Sequence, residues 1–184
     1  MQCLRAESDI VLTGSGTINK DSPSMNVRLK KIVANKAFDQ PKRYVFSKEL
    51  ALDWNAPFFN LPGQKVVVTS KRSLPKSARK IKNLSLLNCK SKGRFLDPKN
   101  FIEKISRFQI NNILLESGPN LLGSFGDVNL IDEFIFYISP EKLGSQAEYF
   151  YKGKNKINFF DNKQFDIVEE TQVGKDKKIV LRKK

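Results

Sequence analysis

Residues 111–129, NNILLESGPNLLGSFGDVN, constrain the fold more than any other stretch of this chain. Ile113, Leu114 and Leu115 read as a buried strand. Glu116 follows, then a Gly118-Pro119 turn, then a short helix. A strand that runs through a tight turn into a helix belongs to an α/β unit. It also makes an anion site, because the first N–H groups of a helix have no internal partner and point into the turn. Gly118 lets a ligand approach the backbone. Pro119 has the φ of a first helical turn and lacks the N–H that would be left unpaired there. Asn120 can cap. Glu116 stands at the carboxyl end of the strand, where ligands collect in open α/β sheets. An ordinary βα turn has the same residues, so the rest of the chain must decide.

The chain has 184 residues, enough for a single domain (1–184) that buries its own core. Its net charge is +14, and only eight of its 33 basic residues are arginine. Lys, Asn, Ile and Phe are abundant together, which reads as compositional drift more than as a nucleic-acid surface. The aromatics are not interleaved with basic residues on a recognisable strand pair, which argues further against nucleic acid. No histidine is present. A histidine base, a Ser-His-Asp triad and a His-ligated zinc are therefore excluded. Cys3 and Cys89 are too far apart in sequence to form a metal-ligand pair, and no metal is expected. No apolar run reaches membrane-spanning length and no signal-type segment opens the chain, so a cytoplasmic protein without a membrane partner is expected.

Along the chain, residues 1–7 read as the tail of a helix and residues 8–13 (SDIVLT) as a buried strand. GSGT (14–17) reads as a loop, and Asp21-Ser22-Pro23 as a turn. KRYVFS (42–47) and KVVVT (65–69) are further strands. Residues 52–61 are irregular, with Trp54, Phe58 and Phe59 covering the core. Residues 84–87 form a small strand. Asp97 caps a helix in which Phe101, Ile102, Ile105 and Phe108 share a face and which Asn111-Asn112 ends. Residues 132–139 (DEFIFYIS) read as an internal strand and 140–160 as a long loop. Residues 164–172 and 178–181 form a hairpin about Val173-Gly174-Lys175-Asp176. The order predicts an α/β fold: a mostly parallel central sheet, helices on its faces and an antiparallel C-terminal hairpin at one edge. Three strand ends then converge: GSGT, Ser47-Lys48, and Glu116 with GPNLLGS. Two Gly-containing loops on one side of a sheet suit a pyrophosphate-bearing ligand, although no G-x-G-x-x-G fingerprint is present.

Two separated motifs carry a resemblance. RAESDIVLTGSGTINKDSPSMNVR and ILLESGPNLLGSFGDVNLIDEFIFYISPEKLG resemble the reductase domain of the bacterial bifunctional riboflavin-biosynthesis deaminase/reductase, in the family's order. That family has a dihydrofolate-reductase-like three-layer fold. It uses NADPH to reduce the ribosyl group of 5-amino-6-(5-phosphoribosylamino)uracil to a ribityl group.

By position, the resemblance implies that Thr17 and Asp21 lie against NADP. It makes Gly118, Pro119, Asn120, Leu121, Leu122, Gly123 and Ser124 the pyrophosphate turn. It sets Arg5, Met25, Arg28 and Glu116 around the phosphorylated aminopyrimidine substrate. The two arginines suit the substrate phosphate, where a planar fork outperforms a point charge. Where the family often has Asp-Ser, this chain has Ser47-Lys48, and either residue can meet the 2′-phosphate; Lys71 and Arg72 are second candidates. Hydride transfer from NADPH needs neither nucleophile nor metal, and no catalytic acid is assigned, since the proton can come from water or the substrate.

The family's opening strand, Lys-x-Ala-x-Ser-Leu-Asp-Gly, and its Ser-x-Trp-Ile-Thr have no counterpart here. The resemblance therefore implies an N-terminally truncated domain with its first strand missing. The deaminase would come from another chain or from a missing N-terminal domain, and homodimerisation is a family tendency. A truncated or inactive nucleotide-binding domain of the same fold is the alternative, with a basic nucleic-acid-binding domain behind it.

Overall fold

The computed structural model describes residues 1–34, 38–155, 157–159, 161 and 163–184. Two positions of the long loop predicted at 140–160, residues 156 and 160, lie outside them.

Among the described residues, five parallel strands form the central sheet: β1 (Ile10–Gly14), β2 (Lys42–Phe46), β3 (Lys65–Thr69), β4 (Leu84–Asn88) and β7 (Ile113–Leu115). Two-residue strands β5 (Ser91–Lys92) and β6 (Phe95–Leu96) make a small hairpin between β4 and the helix that leads to β7. The sheet order is β4-β3-β2-β1-β7, which puts β2 at its centre and β1 between β2 and the edge strand β7. Each strand sends alternate residues to opposite faces, as the two-residue period requires. Ile10, Leu12, Tyr44, Phe46, Val68 and Leu115 face one side, while Val11, Val45, Val67 and Leu114 face the other.

Helices cover both faces and complete three layers. On the first face lie α5 (Pro98–Ile105), through Phe101 and Ile105, and α6 (Pro119–Gly126), through Phe125. On the second lie α2 (Ser15–Asp21), through Ile18, and α4 (Pro57–Asn60), through Phe58 and Phe59. Among the described residues there are also the short helices α1 (Gln2–Ala6), the predicted tail before β1, and α3 (Lys30–Val33). Asp97 caps α5 as expected, accepting the N–H of Lys99. The helix stops at Ile105 rather than running on to Asn111-Asn112, and Phe108, 55% exposed, belongs to the turn after it.

Three further differences from the sequence reading have physical reasons. GSGT is not a loop: Gly14 is the last residue of β1 and also the N-cap of α2, so Gly16 and Thr17 are helical. The strand β8 (Glu133–Ile138) is not internal. It is the edge of a second sheet, ordered β8-β10-β9, and its end residues Tyr137 and Ile138 are exposed. The C-terminal hairpin, β9 (Phe165–Val173) and β10 (Asp176–Lys183), joins β8 instead of the central sheet. Its turn is Gly174-Lys175, with Gly174 at φ 63, the sign a two-residue hairpin needs at its first position. Phe134, Phe159, Phe165, Ile179 and Leu181 give this sheet its own core.

Asp9 ties the start of β7 to β1. Its Oδ2 accepts the N–H groups of Asn111 (2.6 Å) and Asn112 (3.0 Å). These two bonds hold its carboxyl below the usual carboxylate range. A depressed folded value means the stabilisation is present above the unfolded pKa of about 4 and is lost as pH falls through the folded one. Asp9→Asn is expected to cost about 1 kcal/mol near neutral pH, the charge-assisted bonds being discounted for solvent exposure. The gap between variant and parent should close as pH drops below about 4. Urea titrations at several pH values check this, and a pH-independent gap would refute it.

Candidate active site

The carboxyl ends of β1, β2 and β7 open on one side of the sheet, as parallel pairing dictates. A cavity of about 660 Å³ lies there. Its wall from β1 and α2 consists of residues 14–17 with Lys20 and Asp21. From β2 come Phe46 and Lys48, and from the head of α6 come residues 118–121 with Ser124. Hairpin residues Arg94, Phe95 and Leu96 and the later residue Glu148 close it.

The head of α6 has the features of an anion cradle. Gly118 is its N-cap in extended conformation, and no side chain caps the helix. Pro119 occupies the first helical position. The first-turn N–H groups after it are therefore free for a ligand, with the positive end of the helix dipole behind them. A Cβ built on Gly118 would meet only Thr17 Oγ1, at 3.9 Å, so the approach to this backbone is open. Three cations, Lys20, Lys48 and Arg94, stand against two carboxylates, Asp21 and Glu148. Lys48 Nζ donates to the Gly93 carbonyl (3.0 Å), and this bond draws the β5–β6 hairpin over the cavity. The aromatic rings of Phe46 and Phe95 supply apolar wall. Pyrophosphate at the uncapped helix, with rings against the Phe side chains, suits a dinucleotide.

Of the residues expected around the cofactor, the cavity brings together Thr17, Asp21, Lys48, Gly118, Pro119, Asn120, Leu121 and Ser124. It leaves out three. Ser47 is buried and its N–H continues the ladder to the Val68 carbonyl (2.9 Å). Leu122 turns away to the core of the second sheet. Gly123 faces the chain at residues 152–153, where a Cβ would stand 2.4 Å from the Lys152 carbonyl oxygen. Lys71 pairs with Glu49 on the surface.

The four residues expected around the substrate do not line this cavity. Arg5 instead holds Glu116 in a two-pronged ion pair, Nε to Oε2 at 2.8 Å and Nη2 to Oε1 at 2.7 Å. Its Nη1 donates to the Asn26 carbonyl (3.0 Å), and the Met25 sulfur lies 3.7 Å from Nη2. Arg5, Met25 and Glu116 thus form one cluster beside the end of β1, where the Glu116 N–H meets the Leu12 carbonyl (2.9 Å). Arg28 is exposed.

Lys20, Arg94, Phe95 and Glu148 were missed in the sequence. Lys20 was legible in principle, one turn after Thr17 once α2 is recognised. The Lys92-Gly93-Arg94 turn was a usable hairpin signal. Glu148 had none, because it arrives on a long loop. That loop is fastened at residues 152–155: Lys152 N–H donates to the Pro119 carbonyl (3.1 Å), and Asp127 accepts the N–H groups of Lys154 and Asn155.

Comparison with known proteins agrees with this architecture. RibD of Buchnera aphidicola subsp. Baizongia pistaciae is 32% identical, over 100% of this chain and 51% of that protein. A Buchnera aphidicola subsp. Acyrthosiphon pisum protein named 5-amino-6-(5-phosphoribosylamino)uracil reductase is 30% identical, over 100% of this chain and 91% of that one. The fold matches form 2 of Acinetobacter baumannii RibD with a TM-score of 0.82 at 24% identity, over 100% of this chain and 49% of that one. This chain spans about half the length of those two RibD proteins. The family model described as the RibD C-terminal domain runs through residues 1–178, taking in the central sheet, the α6 cradle and β8 to β10 almost to their end. With the parallel sheet, its helical cover and the hairpin sheet all in place, the chain belongs to the RibD C-terminal domain family.

Proposed function

We propose that this chain is an NADPH-dependent reductase of 5-amino-6-(5-phosphoribosylamino)uracil in riboflavin biosynthesis. The observation that carries the reading is the uncapped head of α6, opening on a cavity with Lys20, Lys48 and Arg94. The Acyrthosiphon pisum relative's name supplies the reaction. When bound, the nicotinamide supplies a hydride to the imine-like C1′ of the opened sugar. The protein's own work is positional. The α6 amides and Gly118 hold the pyrophosphate. Thr17 and Asp21 fix the cofactor from the opposite wall. Lys48 or Arg94 meets the 2′-phosphate, and Phe46 and Phe95 exclude water from the ring. Arg5 aims the Glu116 carboxylate, whose remaining lone pairs accept from the pyrimidine or the sugar hydroxyls. A deaminase, from another chain or another domain, makes the substrate in this scheme.

The direct test mixes purified protein with NADPH and the aminouracil substrate and follows NADPH absorbance. Oxidation is expected only with both present. A folded protein that oxidises no NADPH refutes the proposal. Lys48→Ala is expected to weaken NADPH binding roughly tenfold, the value of one charge-assisted bond, and NADH binding by much less. Calorimetric titration of both nucleotides checks it.

A second reading, nucleotide binding without reduction, is favoured by one observation: Glu116 is already paired with Arg5 while Arg28 faces solvent. It predicts NADPH binding with no turnover in the same assay.

A further inference from the structure

A second cavity, of about 750 Å³, lies at the amino-terminal ends of β3 and β4, at the opposite end of the sheet from the first. Lys65 opens β3 and Asn83 immediately precedes β4, and both line it. One wall is aromatic: the Trp54 ring lies tilted over Phe59, with centroids 4.9 Å apart. The other wall carries Lys80 and Lys82. Asp53 is the single carboxylate among the lining residues, and its Oδ1 already accepts the Asn55 N–H.

Behind this cavity is a charge imbalance. Arg43 and Lys65 stand directly opposite each other on β2 and β3, and both are buried. Among the described residues neither forms an ion pair. Arg43 donates to four main-chain carbonyls. Lys65 Nζ donates to the Phe59 (3.2 Å) and Leu61 (2.9 Å) carbonyls, which leaves one of its three hydrogens for the cavity. Burial and the Arg43 charge both act against protonation of Lys65. An anion in the cavity offsets the repulsion between the two cations, since uncompensated like charges in a poorly solvated place raise the local potential. Carbonyl dipoles stabilise these two cations but do not neutralise them.

We infer that this cavity is a binding site for a planar aromatic anion, a ring carrying a phosphate or carboxylate group. The ring lies against Trp54 and the anionic group reaches Lys65 between Lys80 and Lys82. The site shares no lining residue with the first cavity and stands independently of the proposed reductase activity.

Trp54 is the sole tryptophan of the chain, so its fluorescence reports on this cavity alone. The intact protein is titrated with adenosine 5′-monophosphate, with adenosine (ring without charge) and with inorganic phosphate (charge without ring). Saturable quenching by the monophosphate is expected, at least tenfold tighter than by either of the other two. The Lys80→Ala/Lys82→Ala double variant lies on the rim and should fold normally. It should weaken the monophosphate at least fivefold and leave NADPH affinity unchanged. Lys48→Ala should not alter the quench. Equal affinities for the three probes, absence of saturable quenching, or indifference to the double variant each overturn the inference. So does monophosphate binding detected by equilibrium dialysis without a change at Trp54.

Discussion

Replacing Arg43 by methionine is expected to cost about 4 kcal/mol or more and to bring the protein close to global unfolding, because native stability itself is only about 5–15 kcal/mol. Arg43 is 1% exposed and holds four carbonyls at once. Its Nη1 donates to Ser24 (3.1 Å) and Phe58 (2.8 Å), and its Nη2 to Leu61 (2.9 Å) and Pro62 (2.6 Å). The guanidinium carbon stands 5.5 Å from the centroid of the Phe58 ring. Burial lowers its pKa to about 10, so the group remains charged at neutral pH. It therefore nails the turn after α2, the α4 helix and the 61–63 turn to the second face of the sheet. Gly63, at φ +106, turns the chain between Pro62 and β3, beside the guanidinium. Methionine fills much of the volume but leaves all four acceptors dry, and each unsatisfied buried carbonyl costs about 1–3 kcal/mol before relaxation. Arg43→Lys retains the charge but loses the planar fork, and an ammonium with three hydrogens cannot reach four carbonyls spread around it. About half the loss is expected there. Urea midpoints at constant m-value provide the measurement. A shift in the methionine variant of under 1 kcal/mol would show that the carbonyls find other donors.

Arg43 also shows where the sequence was silent. KRYVFS reads as a strand from its β-branched and aromatic content, and the structure has it at Lys42–Phe46, with Ser47 just past its end. Nothing local says that Arg43 points inward, because its partners are carbonyls 15 to 19 residues away. The α6 cradle was legible for the opposite reason. Strand, Gly-Pro and helix are contiguous, so the local pattern determines the strand-turn-helix geometry, and Gly118 to Leu121 line the cavity. GSGT was misread because two glycines within four residues favour a loop on propensity. Here the packing of Ile18 on the second face pulls the segment straight into α2. β8 was misread because an apolar run looks alike whether both its faces are covered or one. Its pairing with β10 alone is a tertiary fact. Glu148, on a long connection, depends on where that loop crosses the sheet, which no periodicity records.

Glu116→Gln is expected to separate the structural from the chemical role of the Arg5 cluster. In the parent, both Arg5–Glu116 bonds are charge-assisted and the Arg5 side chain is 9% exposed. The glutamine amide offers one oxygen to the fork and turns its NH2 towards the other N–H, so one bond becomes a donor–donor clash. Removing one member of a mostly buried pair typically costs 3–5 kcal/mol; Glu116 is partly open to solvent, so about 2–3 kcal/mol is expected here. Arg5→Met should cost a similar amount, since it strands the carboxylate and the Asn26 carbonyl together. The double variant Arg5→Met/Glu116→Leu should recover a large part of the loss, because no charge is left without its partner. Catalysis should not recover with it. If Glu116 accepts from the substrate, Glu116→Gln raises KM for the aminouracil roughly ten- to a hundredfold, the worth of a charged hydrogen bond, while NADPH affinity stays put. The stabilised double variant should then remain as impaired as the single one. Should activity instead follow the urea midpoint across the three variants, Glu116 would be scaffolding for β7, and the carboxylate that accepts from the substrate would be Asp21 or Glu148, on the wall of the cavity itself.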